Sequence, residues 1–124
     1  MKKVAVIEGG YSKEKAISIK SAKTVFDNLD RTKFAPTRVL VDENEWTAYD
    51  EDGRYSINKN DFSFTKNRAK QNFEYAFIVI HGTPGEDGKL QGYLDMVGVP
   101  YNTSSAAIMA LTFQKYHCNQ FLKN

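Results

Sequence analysis

The chain has 124 residues, which is enough for one domain with a buried core. Its apolar fraction of 41% and charged fraction of 26% are those of an ordinary soluble globular protein, and 17 basic against 15 acidic residues leave a net charge of +2. The basic residues are scattered rather than gathered in a stripe, which argues against nucleic-acid binding, and no run approaches the ~20 apolar residues of a membrane span.

Cysteine usage and the amino terminus indicate a cellular compartment. Cys118 is the single cysteine, which excludes an internal disulfide and fits a reducing environment. The first apolar run has only four residues and ends at Glu8, so we expect no signal peptide. His117 lies beside Cys118 without further candidate ligands, so neither a metal site nor a nucleophile pair is predicted there. We therefore expect a cytoplasmic protein.

The first predicted elements are a buried strand, a tight turn and a helix. Lys3–Ile7 is short, apolar and β-branched, and the glycine pair Gly9-Gly10 follows it. Ser12 is a good helix N-cap, and Glu14 falls in the first turn, where a negative charge suits the helix dipole. The helix is predicted to extend to the last of the apolar residues that recur at steps of three and four: Ala16, Ile19, Ala22, Phe26 and Leu29.

A second strand and a hairpin are predicted next. Phe34–Val41 has the strand pattern, and Pro36 near its start favours a position at or near a sheet edge. Glu45–Tyr49 and Arg54–Ile57 carry alternating aromatic residues around the turn Asp50–Gly53, which predicts a small hairpin.

The stretch from residue 42 to residue 70 is rich in charges of both signs. Acidic residues gather near its start and basic residues near its end, which favours a solvated excursion over a partner site. Trp46 and Tyr49 are interpreted as packing within the hairpin. Asp61–Gln71 is polar and irregular, so a loop or a short helix is expected there.

The strongest strand signal lies at Tyr75–Ile80, which is apolar throughout and therefore predicted to be central. Asp87 can cap a helix at Lys89–Val97, and Gly98 is placed as its C′ residue. Val99–Asn102 is predicted as a short strand.

The remaining chain predicts two helices, one from Ser104 or Ser105 to Leu111 and one over Thr112–Leu122. The whole order of strands, helices and hairpin is an α/β pattern, in which parallel strands are joined by crossover helices. Ligands of such sheets bind beyond the carboxyl ends of strands. The Gly9-Gly10 turn and the glycine-rich turn at residues 81–88 both follow strands, so we expect them to lie side by side.

The Gly9-Gly10 turn matches neither common nucleotide motif. A dinucleotide fingerprint needs a third glycine that the helix lacks, and no Gly-Lys-Ser/Thr phosphate loop occurs in the chain. What remains is a turn with backbone N–H groups at a helix N-terminus, which is either a generic anion site or a tight connection.

Four features could belong to a site or serve the fold alone. Glu14 either stabilises the helix dipole or faces the crevice, where its carboxylate could pair with an ammonium group. His81 ends a buried strand, where a titratable residue suits a site, although a core histidine bonded to backbone is the alternative. Glu86-Asp87-Gly88 can be a helix cap, and Lys115 is either a phosphate ligand or an exposed lysine.

Three segments together resemble the D-alanine–D-alanine ligases. Gly9-Gly10-x-Ser12-x-Glu14-x-x-Ile17-Ser18 resembles the first signature of that family. The string His81-Gly82-x-x-Gly85-Glu86-Asp87-Gly88-x-Leu90-Gln91-Gly92, continued by Gly98-Val99-Pro100-Tyr101, resembles the second and is the more specific. Ala110-Leu111-Thr112-x-x-Lys115 is similar to the segment that leads out of the family's first domain. The resemblance covers nearly the whole chain except residues 42–70, where a variable insertion is expected.

The resemblance implies a fold and a reaction. Residues 1–124 would form a Rossmann-like three-layer α/β domain with a mainly parallel sheet (a pre-ATP-grasp domain) and a small hairpin insertion, without the ATP-grasp domain. In the full-length enzyme ATP, with Mg²⁺, phosphorylates the carboxylate of one D-alanine. The amine of a second D-alanine attacks the acyl phosphate and forms the dipeptide for peptidoglycan precursors. This chain is expected to be the inactive first part of such an enzyme, without a fully bound cofactor, and the whole enzyme to be a homodimer.

The resemblance also assigns roles to individual residues. Glu14 matches the glutamate that holds the ammonium group of the first D-alanine, and Ile17 matches an apolar position lining the same pocket. His81, with Gly82 beside it, matches the histidine near the reacting carboxylate and its phosphate. Lys115 matches a lysine that contacts the nucleotide phosphates. Glu14 and His81 are therefore the expected catalytic residues, and no metal ligand is expected in this chain.

The sequence departs from the family pattern at a few positions and leaves alternatives open. Ala16 stands where many members have a second acidic residue, Gln114 stands where Asp is common, and residues 103–107 are poorer in glycine. None of these departures removes a matched catalytic position. A ligase making D-alanyl-D-lactate or D-alanyl-D-serine is an alternative, as is a non-catalytic ligand-binding module. The presence of both Glu14 and His81 argues against the module, since the core needs neither.

Overall fold

The computed structural model describes residues 2–11, 13, 15–80 and 88–102. Within these ranges a five-stranded sheet, a separate two-stranded hairpin and two helices form one α/β unit. No helix in these ranges is long and apolar enough to cross a membrane. The elements, in chain order, are β1 (Lys2–Gly9), α1 (Lys15–Asn28), β2 (Phe34–Val41), β3 (Trp46–Tyr49), β4 (Arg54–Ser56), β5 (Phe64–Lys66), β6 (Ala69–Gln71), β7 (Tyr75–Ile78) and α2 (Lys89–Val97).

The main sheet is mixed, with the strand order β4-β3-β2-β1-β7. β1 pairs in parallel with β2 on one side and with β7 on the other, and Ile7 stands opposite both Val39 and Ile78. β3 and β4 are added in antiparallel orientation. The expected mainly parallel sheet is confirmed in part for the described residues: β2, β1 and β7 are parallel, and the predicted hairpin of β3 and β4 joins them in antiparallel orientation, which makes the sheet mixed.

Alternation along the strands sends side chains to two separate hydrophobic clusters, one on each face of the sheet. The cluster on the α1 face contains Val4, Val6, Ala22, Val25, Leu29, Phe34, Phe77 and Val79. The cluster on the α2 face is larger and contains Ala5, Ile7, Val39, Val41, Trp46, Ala48, Ile57, Phe62, Phe64, Phe73, Ala76, Ile78, Ile80, Leu90, Leu94 and Val99.

The buried face of α1 differs from the predicted one at its first turns. Ala22 and Leu29 are buried as expected, but Ala16 is exposed and the first buried residue of the helix is Ser18. The helix contacts the sheet along a line through Ser18, Ala22 and Val25. Because these residues are separated by four and three positions, the polar Ser18 lies on the same face of the helix as its two apolar neighbours. The predicted N-cap, Ser12, lies outside the described residues.

Pro36 does not place β2 at the edge of the sheet. β2 lies between β1 and β3, so the predicted edge position is wrong. β3, however, pairs with β2 only from Arg38 to Val41. Pro36 precedes that stretch, so the missing N–H of the proline does not remove a hydrogen bond between β2 and β3.

Residues 42–70 contribute to the core, although the sequence suggested a solvated excursion. Asp61–Gln71 forms the hairpin β5–β6, not a loop or a short helix. Its turn residues Asn67 and Arg68 have φ values of 52° and 65°, the left-handed region of a type I′ turn, and Arg68 gave no turn signal. Phe62 and Phe64 are buried against Trp46 and Phe73, so the charged surface of this stretch covers an aromatic interior.

The second half of the described chain follows the prediction in part. β7 ends at Ile78, two residues early, and the predicted central position is wrong for the described residues, because β7 is the last strand in the order. Where a strand was predicted at Val99–Asn102, Tyr101 forms only an isolated parallel bridge to Ala76. α2 has the predicted bounds, and Gly98 ends it with a φ of 76°. The N-cap position belongs to Gly88 rather than Asp87, which lies outside the described residues with the helices predicted beyond residue 103.

Candidate functional site

The carboxyl ends of β1 and β7 lie side by side at one edge of the sheet. The two strands are parallel neighbours in register from Val4 and Tyr75 to Ile7 and Ile78. The N–H of Val79 then donates to the Ile7 carbonyl at 2.8 Å. The segments that follow are the Gly9-Gly10 turn and residues 81–87, which lie outside the described residues. Their strands therefore meet at the position where α/β sheets bind ligands.

Gly9 is required at the end of β1 by both backbone conformation and space. Its φ is +100°, a region that side chains disfavour. A Cβ at this position would lie 2.5 Å from the Val41 carbonyl oxygen and 2.8 Å from Leu40 Cδ1. The next residue, Gly10, donates its N–H to the same Val41 oxygen at 2.7 Å. The glycines therefore let the chain leave the sheet while pressed against the end of β2.

Ser18 ties α1 to both strand ends. This fully buried side chain accepts a hydrogen bond from the Gly9 N–H at 3.0 Å and donates one to the Val79 carbonyl. A helical serine commonly bonds a carbonyl of its own helix, whereas this hydroxyl bonds two strands instead. One side chain thus connects the end of β1, the first turns of α1 and the end of β7.

A buried ionic cluster lies next to this tie. Glu8, 1% exposed, accepts hydrogen bonds from Arg38 Nε at 2.6 Å and from the Tyr49 hydroxyl at 2.5 Å. Arg38 also donates through Nη2 to the Ile19 carbonyl at 3.0 Å, which attaches α1 to β2. At the surface Lys15 pairs with Asp42 at 2.6 Å and ties the start of the helix to the end of β2.

Burial governs the electrostatics of this cluster. Desolvation raises the pKa of the Glu8 carboxyl above 4.5, although the hydrogen bond from Tyr49 and the charge of Arg38 act in the opposite direction. Burial and the neighbouring Glu8 likewise raise the pKa of the Tyr49 hydroxyl, which stays protonated. Outside the cluster, the hydrogen bond from Lys15 lowers the pKa of Asp42. Burial of the Glu8 carboxylate is therefore unfavourable in itself, and the bonds from Arg38 and Tyr49 offset part of the desolvation free energy.

A cleft of about 430 Å³ opens on the α1 side of the sheet, beyond the cover of the helix. Phe26, Arg38 and Tyr49 form its walls, and the acidic hairpin turn Asp50–Asp52 forms its rim. Lys66 bonds both Asp50 and Asp52 at 2.7 Å, so two of the three rim carboxylates already have a cation. The cleft is open, and it is distinct from the edge where β1 and β7 end.

The structure describes one of the five residues that the sequence placed in the site. Ile17 lies in the first turn of α1 and is 56% exposed, outside both hydrophobic clusters. Glu14, His81, Gly82 and Lys115 lie outside the described residues, although the strands that lead to the first three are described. Within the described ranges no group of His, Cys, Asp and Glu residues could hold a metal ion.

Two side chains at this edge gave no functional signal in the sequence. Ser18 ends the first family-like string, but a serine four residues into a helix has no distinctive pattern of its own. Glu8 was interpreted only as the end of an apolar run. A charged residue directly after four buried strand residues could have indicated a buried partner, and Arg38 on the next strand is that partner.

The comparisons with known proteins agree with the geometry. The family described as D-ala D-ala ligase N-terminus matches residues 3–104. A protein of Azobacteroides pseudotrichonymphae named D-alanine–D-alanine ligase is 47% identical over 124 residues, covering 99% of this chain and 38% of the relative. A Porphyromonas gingivalis protein of the same name is 49% identical over 120 residues, covering 96% of this chain and 36% of its own length. The chain therefore spans less than two fifths of these relatives.

Solved structures likewise match most of this chain and a smaller part of their own length. D-alanyl-alanine synthetase A of Vibrio cholerae superposes with a TM-score of 0.70 at 28% identity, over 85% of this chain and 32% of that one. The VanG D-Ala:D-Ser ligase of Enterococcus faecalis gives a TM-score of 0.69 at 28% identity, over 88% and 37%. A Bacillus anthracis D-alanine–D-alanine ligase complexed with ATP gives 0.58 at 27% identity, over 89% and 32%.

Proposed function

The chain belongs to the D-ala D-ala ligase N-terminal family, and from this premise we propose that it is the substrate-binding domain of an ATP-dependent D-alanine–D-alanine ligase. The product would be the dipeptide for peptidoglycan precursors, made in the cytoplasm. The observation that carries the proposal is the family match over residues 3–104. Within this range, the neighbouring ends of β1 and β7 lead to the two signature strings.

The proposed fold is the Rossmann-like three-layer domain that precedes the ATP-grasp domain. Helix α1 on one face and α2 on the other support three layers around the parallel strands β2-β1-β7. We assign residues 1–124 to this domain and residues 42–70 to a variable insertion that extends the sheet by β3 and β4. In this proposal the ATP-grasp domain belongs to the part of the ligase outside this chain.

The proposed site lies where β1 and β7 end. Glu14 binds the ammonium group of the first D-alanine through a charge-assisted contact. Ile17 offers an apolar surface to the same substrate, and its exposure leaves it free to do so. His81 and Gly82, which follow β7, hold the reacting carboxylate. The family resemblance and the strands that precede these residues support this assignment.

ATP and Mg²⁺ are proposed for the whole ligase rather than for this chain alone. ATP supplies the phosphoryl group that activates the carboxylate of the first D-alanine. Following the family resemblance, we assign Mg²⁺ to other parts of the enzyme. Lys115 is the one residue of this chain that we assign to the nucleotide phosphates. A homodimer is proposed for the complete enzyme.

The second substrate is proposed to be D-alanine, with D-serine as the alternative. The curated relatives are named D-alanine–D-alanine ligases, which favours D-alanine. The similarity to a D-Ala:D-Ser ligase is the reason for the D-serine alternative. TM-scores of 0.70 and 0.69 for the two kinds of ligase do not separate them. Substrate choice is therefore tested with enzyme rather than with fold.

A domain graft tests the proposed function. The chain replaces the matching segment of the Azobacteroides pseudotrichonymphae relative, and ADP release is measured with D-alanine alone and with D-alanine plus D-serine or D-lactate. A parallel graft from the Porphyromonas gingivalis relative controls for the junction. We expect ADP release and D-alanyl-D-alanine with D-alanine alone. A folded graft that is inactive while the control graft turns over would contradict the proposal.

Glu14→Gln in the active graft tests the proposed substrate contact. Replacing the carboxylate removes the charge that pairs with the ammonium group, so transition-state stabilisation for D-alanine should fall by ~1–3 kcal/mol. The measurement is kcat/KM for D-alanine. The matched control is Glu51→Gln on the exposed hairpin turn, which should leave kcat/KM unchanged. Equal values for Glu14→Gln and the parent graft would remove Glu14 from the site.

A further inference from the structure

The two ligand-site strands separate at one rung of their ladder, and Ser18 fills the gap. In a parallel pair with Ile7 opposite Ile78, the bond from the Val79 N–H to the Ile7 carbonyl is followed by one from the Gly9 N–H to the Val79 carbonyl. That next bond is replaced by the Ser18 hydroxyl, which accepts from the Gly9 N–H and donates to the Val79 carbonyl. One side-chain oxygen therefore stands where the two strands would otherwise close on each other.

The Ser18 hydroxyl uses its donor and an acceptor position in these two contacts. Ser18 is fully buried, and both of its partners are backbone groups that would lack a bond without it. Gly9 also lies close to the end of β2, because a Cβ built on it would be 2.5 Å from the Val41 carbonyl oxygen and 2.8 Å from Leu40 Cδ1. Val79 is held to Ile7 through its N–H. The separation of the two strand ends is thus fixed from both sides, with Ser18 as the spacer.

We propose that Ser18 is a positioning residue, which sets the distance between the turn carrying Glu14 and the turn carrying His81 by separating the ends of β1 and β7. The inference rests on the proposed function of these turns. Ser18 itself contacts backbone only. Its effect on catalysis therefore passes through Glu14, four residues before it in the sequence, and through His81, two residues after Val79.

The test is a double-mutant cycle in the active graft, with Ser18→Ala, Glu14→Gln and both together. Small displacements of catalytic groups are costly, so Ser18→Ala alone should lower kcat/KM for D-alanine by between about tenfold and a hundredfold. In the Glu14→Gln background the same change should lower it by less than about threefold, since residues that act through one another are not additive. Ser18→Thr, which keeps the hydroxyl, should restore at least half of the logarithmic loss.

Ser63→Ala is the matched control. Ser63 is also buried, and its hydroxyl donates one short hydrogen bond, to Asp61 at 2.5 Å, but it lies directly before β5 and away from the ends of β1 and β7. Its loss should leave kcat/KM within about twofold of the parent, because no catalytic group is displaced. Additive effects of Ser18→Ala and Glu14→Gln, or equal losses for Ser18→Ala and Ser63→Ala, would overturn the spacer role. An inactive parent graft would instead overturn the proposed function, so the two failures are distinguishable.

Discussion

Apart from the Lys15–Asp42 pair at the surface, helix α1 is attached to the sheet by two buried polar contacts that differ in their chemistry. The Ser18 tie is neutral, bonds only backbone, and joins the ends of β1 and β7. The Glu8 cluster is charged, bonds side chain to side chain, and joins β1 to β2 and β3 through Arg38 and Tyr49. Adjacent residues of β1, Glu8 and Gly9, thus belong to the two different contacts.

The difference separates holding the fold from shaping the site. A buried charge that loses its partner is strongly destabilising, so the Glu8 cluster should dominate stability. A buried hydroxyl between two backbone groups contributes less free energy but fixes a distance. We therefore expect substitutions in the cluster to affect unfolding most, and substitution of Ser18 to affect D-alanine turnover most.

Arg38→Met should give the largest loss of stability. It leaves Glu8 buried without its cation and removes the hydrogen bond to the Ile19 carbonyl, so the free energy of unfolding should fall by about 3–5 kcal/mol. Urea unfolding followed by circular dichroism measures this. Tyr49→Phe keeps the ion pair and should cost only about 1.5–3 kcal/mol, the range for a hydrogen bond to a charged group. If both variants were as stable as the parent, the cluster would have no role in the fold.

Gly9→Ala should follow, with a loss of about 2–4 kcal/mol, because strain at positive φ adds to the clash with Val41. Gly92→Ala is the control on the exposed surface of α2, where a Cβ meets nothing within 4 Å. That change should raise stability by about 0.5–1 kcal/mol, since alanine is the better helix former. Thermal unfolding of both variants measures the contrast, and losses of similar size would contradict the packing described at Gly9.

The pH dependence should give the smallest effect, and its sign follows from burial. Because the folded-state pKa of Glu8 lies above 4.5, its contribution to stability is fully present below that pH and is lost as pH rises through the folded pKa. The lowered pKa values of Asp42, Asp50 and Asp61 act below pH 3.8, in a separate window. Unfolding free energies of the parent should therefore decline against those of Glu8→Gln from pH 4.5 upward. Parallel curves would show that the pKa of Glu8 is not raised.

Local patterns in the sequence were sufficient for most single elements. The bounds of β2 and α2 and the hairpin of β3 and β4 follow from periodicity and turn residues. The strands that lead to the two signature strings are also neighbours, as β1 and β7 pair in parallel. These features depend on residues close together in the chain, which a reader of one sequence can see.

The sequence was insufficient where long-range partners decide. The hairpin β5–β6 was missed because its turn uses Asn67-Arg68 instead of glycine, and its apolar residues find their partners in Trp46 and Phe73. The edge position predicted from Pro36 was wrong because β3 is short and pairs with β2 only from Arg38 to Val41, so β2 accommodates the proline without lying at the edge of the sheet. Ser18 was missed because its partners lie 9 and 61 residues away.

One comparison tests the central claim most directly, which is that the Ser18 tie shapes the site while the Glu8 cluster holds the fold. Ser18→Ala and Tyr49→Phe each remove one hydrogen-bonded hydroxyl, and both stability losses should lie between about 1 and 3 kcal/mol. We predict that in the active graft kcat/KM for D-alanine falls at least about tenfold for Ser18→Ala and stays within about twofold for Tyr49→Phe. Equal losses of kcat/KM, or the larger loss for Tyr49→Phe, would contradict the account.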